Sequence, residues 1–219
     1  MSMIFERLIE TSESFLHTLS QRGEAVEEDH NFDWPNHVFR SSVFRRAHLD
    51  VVDARDTKKL YMMHLCIFPH TNDSSPIYGF DLIAGPNKVT GAFHDFSAGY
   101  DKHHPMMNWF QNRVSSLQWS KKRELPEWAR NIFSDSMIAA GNINSEQELE
   151  TILALATETL NYYLDNVGAK SDIDSREAQN WYCHNQRQNP HTPKVMQSLG
   201  FDSETVDRFI KSCLFPSIE

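Results

Sequence analysis

Long apolar runs are absent from this chain of 219 residues. No stretch reaches the roughly 18 uninterrupted apolar residues of a membrane span, and Met1 to Phe5 lacks the charged and apolar regions of a signal peptide. A cytoplasmic location is the expectation. Cysteine is scarce: Cys66, Cys183 and Cys213 are scattered without CxxC spacing, which argues against a disulfide framework or a zinc knuckle and predicts reduced, mostly buried thiols. With only 8 glycines and 9 prolines and no repeat or low-complexity tract, fibres and solenoids are excluded. GxGxxG, Walker and GxSxG signatures are missing too, which weakens nucleotide, serine hydrolase and iron-sulfur readings. Positive charge is short as well: 21 basic against 30 acidic side chains give a net charge of −9, disfavouring a general affinity for nucleic acid or membrane surfaces.

What is present is enough apolar material, 40% of residues, to bury a core as a single domain over residues 1–219. Apolar residues recur at helical period from Met3 to about Gln21. Residues 24–37 read as irregular. Four β-type runs follow at about 38–53, 59–68, 76–84 and 88–96, separated by short turn signals that favour an antiparallel meander. A helix is expected over 105–118, a strand over 135–140, and a helix from the capping pair Ser145 and Glu148 to about Asn166, closed by Gly168. Two more helices, 173–189 and 203–214, flank a kinked segment holding Pro190, Pro193 and Gly200. An antiparallel sheet with helices at both chain ends predicts an α+β or three-layer α/β/α sandwich with a central antiparallel sheet.

Two strands break their own apolar pattern. Both faces of 60–68 are apolar, as in a central strand covered on each side, yet His64 lies among them, where desolvation favours the neutral ring. The next strand carries Asp81 in an otherwise apolar run, and a buried carboxylate is costly unless paired or hydrogen-bonded. A meander makes His64 its natural partner, either as a pair that only fixes register or as a functional one, and Gly79 leaves room for a flat molecule. His48 and Asp50 share one strand face, Thr90 and His94 another. Asp95 reads as a turn-capping residue at a strand end. His103-His104 and His184-His191 lack the spacing of a helical metal site, so metal binding has no support there. Residues 102–123 hold Lys102, Arg113, Lys121, Lys122 and Arg123 with no acid, either a solvated face or a dock for an acidic partner.

Several stretches together resemble the ferredoxin-dependent bilin reductases: HLD at 48–50, HLCIFP at 64–69, PIYGFDLIAGP at 76–86, FHDFS at 93–97, RELPEW at 123–128, WYCHNQRQN at 181–189 and LFP at 214–216. The histidine opening HLCIFP is similar to the phycocyanobilin:ferredoxin oxidoreductase branch and its phage-type relatives. The resemblance implies an α/β/α sandwich that holds biliverdin IXα against the C-terminal helices, with no metal, flavin or nicotinamide in the enzyme. Electrons arrive singly from a reduced two-iron, two-sulfur ferredoxin, and the protein supplies protons to substrate radicals. By the same resemblance, Asp81 is the principal donor, His64 its hydrogen-bonded relay, and Asp50 stands for the family's vinyl-reducing glutamate, one methylene shorter. His48 belongs to the network beneath the pigment, Thr90 and Arg123 bind propionates, and Asn189 closes over the substrate. Pro190 replaces a further aspartate donor and His191 a basic propionate partner.

With these departures the implied four-electron product is phycoerythrobilin ahead of phycocyanobilin. Lys102, Arg113, Lys121 and Lys122 become ferredoxin-docking candidates. Heme oxygenase upstream, a phycobiliprotein lyase downstream and a monomeric state complete the expectation, in a cyanobacterial, plastid or phage-infected cytosol. A non-catalytic bilin carrier or lyase-type chaperone would use the same pocket without proton donors. A metal-dependent enzyme would use His48, His64, Asp81 and His94.

Overall fold

The computed structural model describes residues 2–28, 32 and 34–219. Seven antiparallel strands pair strictly in chain order: β1 (Glu24–Val26), β2 (Asn36–Arg40), β3 (Phe44–Ala54), β4 (Leu60–Pro69), β5 (Ile77–Ala84), β6 (Val89–Ser97) and β7 (Ile138–Ala140). The expected meander is therefore present, with two differences. The run at 38–53 is two strands folded at Ser41, whose side-chain oxygen accepts the Val43 and Phe44 amides. Part of the segment expected to be irregular is β1, paired with β2; its residues 29–31 and 33 lie outside the described residues.

One sheet face is covered by α1 (Met3–Arg22), α3 (Pro105–Val114) and α5 (Glu146–Asn166), with Leu8, Phe15, Leu19, Phe110, Ile152 and Tyr163 buried against Leu49, Leu65, Phe80 and Phe96. Fully burying side chains of this size stabilises the fold by roughly 1.5–3 kcal/mol each before the entropy of ordering is charged against it. Only half of the capping box forms. Ser145 accepts the Glu148 amide at 3.1 Å, but the Glu148 carboxylate turns to the Ser120 amide at 2.6 Å, pinning the loop that carries Lys121 to Arg123. Gly168 ends this layer at φ +107°, and a Cβ there would fall 2.8 Å from Val43.

The opposite face is covered by C-terminal elements: α4 (Glu127–Arg130), α6 (Arg176–Gln186), α7 (His191–Ser198), α8 (Ser203–Arg208) and a π-helical turn (Phe209–Leu214), the short α2 (Arg55–Lys58) lying in the β3–β4 hairpin. The kinked segment after Pro190 is thus itself a helix. Proline is tolerated at a helix start because the first amides have no intrahelical acceptor. The three layers form the α/β/α sandwich. Among the described residues, no helix is long and apolar enough to cross a membrane.

Candidate active site

Because side chains alternate across a strand, register decides which residues share a face. Asn36 pairs with Asp50, Asp50 with His64, His64 with Asp81, and Asp81 with Phe93. Three ionisable groups thus stand in one row over three adjacent strands, about 10 Å from first to last at the usual strand spacing. The row one step along holds His48, Cys66, Gly79 and Asp95. Both rows face the C-terminal layer. Between sheet and layer lies a cleft of about 580 Å³ whose wall includes Asp50, His64, Asp81, Phe93, Trp128 and Phe215, within the range of small-molecule sites.

Burial raises the Asp81 carboxyl to about 7. Asp50 also rises to about 7, through burial first; the Trp34 indole opposes the rise and the Asp81 charge adds to it. Burial lowers His64 to about 4, helped by the Arg46 charge. Near neutrality the two carboxyls are poised to hold or release a proton while the imidazole is neutral, the environment of tuned acids rather than of salt bridges. The expected hydrogen bond between His64 and Asp81 is not formed among the described residues. Instead the His64 ring meets Phe215 edge-on at 5.7 Å, and its Nδ1 is buried without a partner. Gly79 leaves less room than expected, since the Tyr182 hydroxyl sits 3.5 Å from where a Cβ would be.

His48 is fully buried below the row, its Nε2 2.9 Å from Asn36 Oδ1 and 3.5 Å from Cys213 Sγ. Thr90 and Arg123 line one part of the cleft. The Thr90 hydroxyl donates to the Ile83 carbonyl at 3.0 Å where the β5–β6 register slips. The Arg123 guanidinium donates to the Thr90 carbonyl and lies 5.7 Å from the Phe93 ring centre. Asn189 and His191 also line the cleft, with Asn189 Oδ1 accepting the His191 amide at 3.0 Å at the start of α7.

Other predicted residues border the cleft or lie away from it with their polar groups engaged elsewhere. His94 Nε2 lies 2.8 Å from Thr159 Oγ1 of α5 and Nδ1 lies 2.7 Å from the Gly79 carbonyl, so its ring is committed to the other layer and cannot join His48, His64 and Asp81 around a metal. Asp95 does cap, but the loop it holds is distant in sequence: it accepts the Ser134 amide at 2.9 Å and the Ser97 hydroxyl at 2.7 Å. All three cysteines are free and buried. The basic block is divided. Arg113 is tied to Glu158 by a two-pronged ion pair, whereas Lys102, Lys121 and Lys122 are exposed.

Sequence reading missed Lys58, Tyr182 and Gln186 in the cleft wall and Trp34 behind Asp50. Trp34 donates its indole N–H to Asp50 Oδ1 at 2.5 Å, and Gln186 donates to Tyr182 Oη at 2.7 Å. Lys58, from the β3–β4 hairpin, adds a cation to the lining. No local pattern marks these residues, because their roles depend on contacts across the fold.

A family model for ferredoxin-dependent bilin reductase matches residues 4–216. The phycocyanobilin:ferredoxin oxidoreductase of Synechococcus sp. (strain CC9605) is 29% identical over 190 residues, spanning 82% of this chain and 74% of that protein. A solved structure of PcyX is 34% identical and superposes with a TM-score of 0.71, covering 97% of this chain and 99% of its own. Phytochromobilin synthase from tomato, solved in complex with biliverdin, shares the fold at a TM-score of 0.74 and 13% identity, covering 96% of this chain and 82% of its own. This chain belongs to the ferredoxin-dependent bilin reductases, a family of oxidoreductases.

Proposed function

We propose that this protein reduces biliverdin IXα by four electrons to phycoerythrobilin, in preference to phycocyanobilin, through substrate radicals. Each two-electron stage takes two electrons, one at a time, from a two-iron, two-sulfur ferredoxin and two protons from the cleft. Asp81 is the principal donor, His64 relays protons to it, and Asp50 serves the second stage. The observation that carries this reading is the row Asp50, His64, Asp81 on one cleft wall, with both carboxyls near 7. A carboxyl poised there can protonate a radical anion and be refilled between electrons. With His64 and Asp81 not directly bonded, a pyrrole nitrogen or a water between them would complete the relay.

Arg123 and Thr90 hold one propionate, His48 supports the network under the pigment, and Asn189 and His191 close the α7 side. The preference for phycoerythrobilin rests on the short Asp50 side chain, held back by Trp34, and on Pro190, which brings no acid to the place of a further donor. Lys102, Lys121 and Lys122 receive ferredoxin; Arg113 has its charge offset by Glu158. The chain acts as one domain over residues 1–219, a cytoplasmic monomer with heme oxygenase upstream and a phycobiliprotein lyase downstream. Anaerobic incubation with biliverdin, ferredoxin, ferredoxin reductase and NADPH tests the reading. Transient long-wavelength radical absorbance and a chromatographically identified phycoerythrobilin support it; an unchanged biliverdin spectrum makes the protein a carrier.

A further inference from the structure

Asp50 is the least explained of the three ionisable groups, because its proton affinity is contested by groups from several elements. On its own strand stand His48 and the buried Arg46; across from it on β4 is His64, beyond that on β5 is Asp81, and Cys213 of the π-helical turn approaches His48. Arg208 of α8 lies 5.4 Å from the Phe32 ring centre, above the same corner. Against this background the Trp34 indole makes the one direct side-chain hydrogen bond to the carboxyl among the described residues, N–H to Oδ1 at 2.5 Å.

Trp34 is itself held from both sides. The Asn36 amide donates to its carbonyl at 3.2 Å, the Pro35 carbonyl accepts the Val51 amide at 3.2 Å, and Asn36 pairs with Asp50 in the sheet. Its ring packs on Phe209 of the π-helical turn at 5.0 Å and on Phe201 between α7 and α8 at 4.9 Å. The indole therefore joins the layer over the cleft to one carboxyl beneath it. An oxygen that accepts a short hydrogen bond is a poor place for a proton, so the transferable proton rides on the other oxygen, Oδ2.

We propose that Trp34 is the positioning residue of Asp50: its N–H turns the carboxyl so that Oδ2 carries the proton, and it sets the pH at which that proton is bound. The inference rests on the proposed proton-donor role of Asp50 for its consequence, but its test needs neither pigment nor ferredoxin. A donor to the charged form lowers proton affinity, so removing it raises the midpoint of Asp50 protonation.

The experiment is a pH titration of the free protein by infrared difference spectroscopy, with the Asp50 carboxylic band assigned through Asp50→Asn. In Trp34→Phe, which keeps an aromatic ring against Phe201 and Phe209, the midpoint is expected to rise by about one pH unit, the worth of one hydrogen bond to a charged group. An unchanged midpoint in folded Trp34→Phe overturns the proposal, since loss of packing alone would lower thermal stability without moving a single carboxyl titration. In unaltered protein with labelled indole nitrogen, one N–H resonance should titrate with the Asp50 midpoint and stop titrating in Asp50→Asn. That measurement decides the matter if Trp34→Phe does not fold: no such resonance overturns the assignment. Failure of the bilin assay with the expected midpoint shift would instead count against the proposed reaction.

Discussion

His64 and Asp81 are direct register partners on β4 and β5, yet their side chains do not bond: the imidazole leans on Phe215, and the carboxyl faces the cleft. Backbone pairing brings the two groups to neighbouring positions, and side-chain packing decides what each touches. The proposed relay is therefore open in the free protein, which shapes what each variant should do.

Asp81→Asn removes the group that can give up a proton while keeping its size. We expect biliverdin affinity within about threefold of wild type and product formation slowed by at least ~100-fold, with a radical accumulating under anaerobic single turnover. Full product yield would remove Asp81 from its assigned role.

His64→Gln keeps a polar group but loses the ring that passes protons between two nitrogens. Turnover should fall by roughly tenfold and the product ratio should change, read by chromatography. An unchanged rate and ratio would leave His64 a packing residue against Phe215.

The raised carboxyls also predict a pH-dependent stability. For Asp81, from an ordinary value of 3.8 to about 7, the folded chain binds more protons than the unfolded one, so this contribution is complete below about pH 4 and lost as pH rises through 7. His64 and His94, lowered from 6.5 to about 4, act in the opposite sense: stability falls as pH drops through that window. Asp81→Asn removes one declining contribution. Relative to wild type, it should gain on the order of 2 kcal/mol between about pH 5 and pH 8 by urea denaturation; a constant difference would contradict the raised carboxyl.

Gly141 lets Arg123 lie across the sheet edge, since a Cβ there would fall 2.6 Å from the Arg123 Nε. Gly141→Ala should displace the guanidinium and raise KM for biliverdin by about tenfold, the worth of one charge-assisted contact, with far less effect on kcat. A biliverdin dimethyl ester, which has no propionate charge, should be insensitive to the change. Equal losses with both substrates would place the effect elsewhere.

Lys121→Glu with Lys122→Glu should weaken ferredoxin use without altering biliverdin affinity, and the defect should shrink as salt is added because exposed charges are screened. A defect that does not respond to ionic strength would point away from docking.

The order of strands 4 to 6, the helix from Ser145, the pairing of His64 with Asp81 and the family itself were legible in the sequence; both side chains are only partly buried, because they face the cleft. Period-2 apolar runs with one polar intruder, short turns and linear motifs are local signals. The same locality explains the errors. His94 and Thr90 share parity, but a register slip at Ile83 and Ala84 and a bond to Thr159 send them to different sides. The basic block is one run in sequence and two environments in space, because Arg113 finds Glu158 from another helix.

By itself the amino-acid order determined which side chains could carry protons and that some of them had to be buried, since apolar strands on both sides leave a polar residue nowhere else to go. Only the tertiary structure decided who faces whom. Trp34 reaches Asp50, Glu148 reaches Ser120 and Asp95 reaches Ser134 because packing brings distant segments within hydrogen-bond distance, and a bond whose length depends on several elements at once leaves no mark in the local sequence.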